Sequence, residues 1–400
     1  MRRLMGLLAL CIAGTCSAAD WNQFRGPEGT GVSTEKNLPV TWSKTENLAW
    51  TADLPGDGVS SPVVQGDRVF ITANSGIKKD RLIVACYNLA DGKLLWQRQI
   101  WATGATGCHP MTAMAAPTPV VDANGVYALF ATGDIVAFTL TGQLKWTRAL
   151  ANDYPQIANQ VGMAASPILW QGTLIIPMDN TGDSFLAAID TRYGQNIWKV
   201  KRPRETSWVT PLVRQVDGTT EVVFSSDEAV VGYDIGTGKE RWRFKSQGIG
   251  SIPSPLVGPG MLLIPANGIT AIEAKAGQDQ KILWKSPQLR SGMSSPLYYQ
   301  DHVYSVNSAG VLICASAVDG KVLWQERLKG KFSGSPIAAD GKIYAVNEEG
   351  TTFVVQTGEK PEVVAKNELK DSIITTPAIA SGKILLRSRN KLYAIATPTK

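Results

Sequence analysis

The sequence predicts an all-β fold, an eight-bladed β-propeller of four-stranded antiparallel blades that an N-terminal strand closes by completing the last blade. Three observations carry that prediction. A Ser-Pro or Thr-Pro pair recurs at Ser61, Thr118, Ser166, Thr210, Ser254, Ser295, Ser335 and Thr376, with final intervals of 41, 40 and 41 residues. A glycine followed four positions later by a tryptophan recurs at Gly92/Trp96, Gly142/Trp146, Gly194/Trp198, Gly238/Trp242 and Gly320/Trp324. The last unit, from Thr376 to Ala396, lacks its tryptophan strand, and a spare one lies near the beginning, Asn47 to Leu54 with Trp50.

Fixed periods of this length mean stacked supersecondary units. Each unit reads as an apolar strand, a Gly turn, a second alternating strand such as Lys342 to Val346, a third strand, and a fourth carrying the tryptophan. Period-2 alternation between Gly-bearing turns gives antiparallel meanders. A lone meander leaves two faces unburied, so the units must stack, and a closed ring hides the sheet edges. Trp50, Trp96, Trp146, Trp198, Trp242, Trp284 and Trp324 then share one structural position, docking blade on blade; Trp284 follows a longer turn from Gly277. Near Ala365 the expected tryptophan is missing, so the seventh blade should pack more weakly.

Residues 1–19 read as a secretory signal peptide: Arg2 and Arg3, an apolar stretch from Leu4 to Ala13, and Ser17-Ala18-Ala19 at a cleavage site before Asp20. Leu10 and Thr15, before Cys11 and Cys16, fit a lipoprotein cleavage site poorly. Residues 20–45 form an N-terminal extension and 46–400 the propeller. The expectation is an exported monomer, periplasmic or extracellular, with no transmembrane segment. Beyond the leader, 38 basic residues face 34 acidic ones with no basic stripe, which argues against nucleic acid. The densest cluster, Lys201 to Arg204, reads as a solvated loop. Cys86, Cys108 and Cys314 remain, an odd number that argues against a disulfide framework.

Ala188-Ile189-Asp190 with Gly194 and Trp198 matches an Ala-x-Asp-x-x-x-Gly-x-x-x-Trp blade signature. By it the chain resembles the PQQ-like (quinoprotein alcohol dehydrogenase-like) propeller superfamily over roughly residues 46 to 398. Trp21-Asn22-Gln23-Phe24-Arg25-Gly26-Pro27 and Leu38 to Ser43 look like the extension of exported bacterial PQQ-like repeat proteins. The BamB-type assembly scaffold is a more distant relative by repeat. The resemblance implies the fold; for function it admits quinone-dependent dehydrogenases and non-enzymatic scaffolds alike.

Quinoprotein dehydrogenases hold their quinone with calcium beneath a disulfide of adjacent cysteines, and this chain has no Cys-Cys pair. Cys86 and Cys314, each ten residues before its tryptophan, read as buried free thiols on separate blades. The connections are more informative. From tryptophan to the next Ser/Thr-Pro pair takes 22 residues after Trp96 and 20 after Trp146, against 11 or 12 elsewhere. The enlarged loops 101–116 and 151–165 therefore stand on one face, where binding residues concentrate. Their Trp101, Cys108, His109, Met111, Met114, Tyr154, Asn159 and Met163, with Trp208 from the next connection, form the candidate surface for a partner or ligand. Cys108-His109-Pro110-Met111 has soft donors that suit copper, but a loop packed on the rim explains it without a metal. His302 reads as a surface or edge residue, and Asp179 to Asp183 as a polar hairpin turn rather than a calcium loop.

No catalytic, cofactor-binding or metal-ligating residue is assigned. The leading expectation is a non-catalytic binding scaffold presenting that face to a protein, glycan or envelope partner, with no cofactor. The alternative is a reduced PQQ-dependent oxidoreductase acting on alcohols or sugars with calcium. A shallow loop-bearing face would favour a protein partner; a deep axial funnel would favour a small molecule.

Overall fold

The computed structural model describes residues 20–158, 161–277 and 280–398. The leader and Asn159 lie outside the described residues. Within them, eight four-stranded antiparallel sheets form the ring: 63–101, 120–149, 168–201, 212–245, 256–286, 297–327, 337–368, and 378–395 completed by Leu48–Asp53. That last pairing closes the propeller as the sequence predicts, with Trp50 opposite Ala394 and Asp53 opposite Lys391. The short first strands of neighbouring blades approach one another and surround the axis.

The blade signature acquires a physical meaning for each letter. The tryptophan lies opposite a small third-strand residue: Ala394, Cys86, Ala137, Ala188, Gly232, Ala271 or Cys314. Cys86 and Cys314 are thus small seats for an indole, both buried and unbridged. The aspartate ends that strand and holds the turn, as where the Arg192 amide donates to Asp190 Oδ1 at 2.7 Å. The glycine receives the tryptophan of the preceding blade. Gly194 has φ 71°, and a Cβ there would sit 2.7 Å from Trp146 Cε3. Six indole N–H groups then donate to a carbonyl of the next blade, at 2.8–3.1 Å, onto Leu89, Leu140, Thr191, Ile235, Ala317 and Gly358.

Trp242 departs from the pattern because the next blade's turn is the longer one around Gly277, which offers no seat. Its indole N–H instead donates at 2.8 Å to Glu221 Oε2 of its own blade, over Gly232 and beneath Arg214. Glu221 and Arg214 form a buried ion pair.

In the seventh blade Ala365 occupies the tryptophan position, opposite Val354. The gap is covered from outside the repeat. Trp42 of the extension, 3% exposed, stacks on Tyr344 with ring centroids 6.4 Å apart. Tyr304 and Tyr127 meet their own blades' tryptophans in the corresponding way. Asn367 anchors Trp42 by accepting its amide and donating to the Val40 carbonyl. The expected weak blade is therefore repaired in packing, although the Trp42 indole N–H finds no acceptor.

The extension also fills one end of the axial channel. Trp21 bridges Val64 of the first blade, Asn22 accepts the Val121 amide of the second, and Gly31 and Ser33 pair with Ala338 of the seventh. These bonds satisfy inner-strand edges that face the axis.

Two predictions follow from this packing. Gly194→Ala should lower the unfolding midpoint more than Gly218→Ala, because both have positive φ but only Gly194 lies against an indole; equal shifts would contradict the seat. Trp42→Ala should cost about 3–5 kcal/mol, and Ala365→Trp in that background should recover part of the loss in denaturant unfolding.

Candidate functional site

The recurring Ser/Thr-Pro hydroxyls form a belt around the axis. The amide of Ser61 donates to Thr118 Oγ1, Thr118 to Ser166, Ser166 to Thr210, Thr210 to Ser254, Ser254 to Ser295, Ser295 to Ser335 and Ser335 to Thr376, all at 2.9–3.1 Å. Between the eighth and first blades a buried arginine makes the connection. Arg387 donates to the Ser60 carbonyl and hydroxyl and to the Thr72 carbonyl across the junction. Burial pulls its guanidinium down to about 9.

The belt is the lower wall of an axial funnel of about 290 Å³. Phe24 of the extension lines its base, and the upper wall includes Val59, Met111, Trp208, Ile252, Met293 and Ile374. The wall is mainly apolar with hydroxyls at its foot. Among the described residues His109 is its one titratable side chain, and no Asp, Glu, Lys or Arg lines it.

The enlarged loops form part of the mouth. The His109 amide donates to the Val161 carbonyl at 2.9 Å, and the Trp208 indole N–H to the Gly162 carbonyl at 2.7 Å, joining three connections in one rim. His109, Met111 and Trp208 thus meet at the funnel. The other singled-out residues do not. Cys108 is half-buried beside Lys79, whose Nζ lies 3.4 Å from its sulfur. Met114 and Met163 are buried in the core, where the loops fold back on the second and third blades. Tyr154 packs edge-on against Phe185 on the flank, with Lys199 Nζ 3.7 Å from its ring centroid. Trp101 is no connection residue as its spacing suggested: it ends the outer strand Leu94–Trp101, exposed beneath Arg81.

Two surface readings are settled by charge pairing. Arg202 is not a solvated loop residue; it is buried and bidentate to Asp179 at 2.8 and 2.9 Å, with its guanidinium over Phe224. The polar turn from Asp179 to Asp183 therefore has its first carboxylate committed to Arg202 and its last to Lys199. Among the described residues no group of three or more His, Cys, Asp or Glu side chains is placed to hold a metal ion. No described helix is long and apolar enough to cross a membrane.

Burial pushes the Cys86 and Cys314 thiols up to about 12. At pH 8 a thiol reagent should therefore modify Cys108 in the native protein and reach Cys86 and Cys314 only after unfolding, as mass spectrometry of labelled peptides will show. Native labelling of Cys86 would contradict its burial.

Residues missed by sequence reasoning are the belt hydroxyls and Phe24. The belt was visible as a recurrence, but nothing in one repeat says that its hydroxyl serves the neighbouring blade.

Comparison with known proteins agrees with the geometry. The chain is 24% identical over 205 residues to the outer membrane protein assembly factor BamB of Bordetella pertussis, covering 50% of this chain and 42% of that protein. It is 23% identical over 271 residues to a polyvinylalcohol dehydrogenase of a Pseudomonas species, covering 56% and 40%. The alignments thus span less than half of either relative. Among solved structures, BamB from Moraxella catarrhalis superposes with TM-score 0.63 at 15% identity, over 88% of this chain and 97% of that one. The quinohemoprotein alcohol dehydrogenase of Comamonas testosteroni superposes with TM-score 0.71 at 12% identity, over 95% and 81%. Those likenesses establish the fold. A family model matches residues 27–182, 182–280 and 265–397, and by that match the chain belongs to the family described as outer membrane protein assembly factor BamB.

Proposed function

We propose that this chain is an exported, non-catalytic binding scaffold of the periplasm or extracellular space, which receives its partner on the loop-bearing face around the axial funnel. The observation that carries this reading is the funnel's chemistry. Acid-base catalysis needs groups that give and take protons at the reacting atoms, and a wall of hydroxyls, thioethers, an indole and one imidazole supplies a contact surface. Membership of a family described by an assembly role supports the same reading, as does the leader expected at residues 1–19.

The second reading, a quinone-dependent oxidoreductase, is favoured by the similarity to polyvinylalcohol dehydrogenase. Pyrroloquinoline quinone is a tricarboxylate, and calcium takes six to eight oxygen ligands with carboxylates prominent among them. Among the described residues the funnel wall has no carboxylate for the latter, and the one buried cation near its foot, Arg25, does not match the three carboxylates of the former. These residues do not fit the group.

The test is turnover. Purified protein given the quinone, calcium and an alcohol, sugar or polyvinyl alcohol should reduce no dye. Quinone-dependent dye reduction that disappears in His109→Ala would overturn the scaffold reading. Met111→Glu together with Met293→Glu should cut capture of cross-linked envelope partners at least tenfold; unchanged capture would move the binding face elsewhere.

A further inference from the structure

We infer that the axial funnel binds a small amphiphilic carboxylate, with its apolar or aryl body on the upper wall and its carboxylate directed to the hydroxyl belt. This assignment rests on the binding-scaffold reading and gives its site a ligand class.

The belt is a ring of unspent donors. Thr118, Ser166, Thr210, Ser254, Ser295, Ser335 and Thr376 each accept a backbone amide from the preceding blade, and none of the seven hydroxyls donates to a protein acceptor among the described residues. All seven are 2–6% exposed, and all line the funnel. A hydroxyl has one proton to give, and each of these is free to give it to a group in the cavity. Accepting an amide N–H also polarises the hydroxyl into a better donor. Seven such groups on one circle call for an acceptor-rich oxygen head in the cavity.

Charge selects an anion for that head. Arg25, 1% exposed, lies next to the floor residue Phe24 and donates at 2.6 Å to the carbonyl of Pro296, the residue after the belt's Ser295. Among the described residues it has no carboxylate partner, and its Nε is buried without an acceptor. A second cavity of about 140 Å³ is lined by Arg25 and shares Phe24, Thr210 and Ser254 with the funnel. Glu28, the carboxylate in that cavity's lining, is exposed and makes no ion pair with Arg25. Burial pulls Arg25 down to about 10, so it is cationic at neutral pH. A buried cation without a counterion raises affinity for a nearby anion.

Size and wall chemistry set the rest of the ligand. A cavity of about 290 Å³ lies at the small end of ligand pockets, so it takes one small molecule or a single protruding group. Val59, Ile252, Ile374 and Trp208 give it apolar contact, and Met111 and Met293 adapt to irregular shapes. An amine would meet no carboxylate on that wall.

The test uses the full mature chain in isothermal titration calorimetry with 4-phenylbutyrate and two probes of the same body, 4-phenylbutan-1-ol and 4-phenylbutylamine. The carboxylate should saturate one site, the alcohol should bind at least tenfold more weakly, and the amine should give no saturable heat. Met293→Asp, at a side chain 42% exposed, should weaken the carboxylate at least tenfold, while Val318→Asp, 83% exposed and outside the funnel, leaves it unchanged. Failure of the carboxylate to saturate at millimolar concentration, equal binding of the three probes, or indifference to Met293→Asp would overturn the assignment. The scaffold reading fails instead on quinone-dependent turnover, so the two failures are distinguishable.

Discussion

The structure depends on one contact repeated around a circle, the indole of one blade laid over the turn glycine of the next. A four-stranded blade cannot bury both faces alone, and the large apolar area of a tryptophan stabilises the join only where nothing intervenes. The glycine supplies two properties at once, a positive φ for the turn and the absence of a Cβ that would strike the ring. The small residue opposite the tryptophan completes the seat from below, which is why cysteine is acceptable there without any thiol chemistry. Where the contact fails, something else takes its place. Trp242 turns to Glu221, and Trp42 arrives from outside the repeat to cover Ala365.

Ring closure then creates a problem at the centre. Eight inner strands present free edges toward the axis, and their amides need partners. The belt answers part of this by pairing seven of its Ser or Thr amides with the next blade's hydroxyl, with Arg387 at the eighth junction, which is why that position repeats with the tryptophan. The extension answers another part by laying its own backbone against Val64, Val121 and Ala338. The same segment turns an open channel into a blind funnel by placing Phe24 across it. Structural need and the shape of the site thus come from one stretch of chain.

What was legible in the sequence divides along that line. The blades, their number and the closing strand were readable because packing repeats with the backbone's own period, and the missing strand at one end matched the spare one at the other. The role of the Ser/Thr-Pro pair was hidden, since its bond spans 40 to 57 residues and leaves no local mark. The site was legible only in part. Unequal connections singled out loops that reach the funnel mouth, where His109, Met111 and Trp208 line it. Met114 and Met163 look identical to Met111 in composition, yet both loops fold back and bury them. Length says that a loop is enlarged; it does not say which side chains turn inward. Arg25 and Trp42 were unreadable for a related reason, because an aperiodic segment has no repeat against which to register.

Symmetry also limits what the centre can do. Eight equivalent positions can supply a ring of like donors, but a ring of equivalent hydroxyls has no net charge and no preferred side. Everything that distinguishes one ligand from another must therefore come from parts that break the repeat: the two enlarged loops, Trp208, and the extension with Phe24 and Arg25. The superposition on a quinohemoprotein dehydrogenase shows how far the symmetric part is shared at 12% identity. The asymmetric part is where chemistry is chosen. In this chain it brings the buried Arg25 beside the floor residue Phe24 and His109 to the funnel wall, which among the described residues carries no carboxylate.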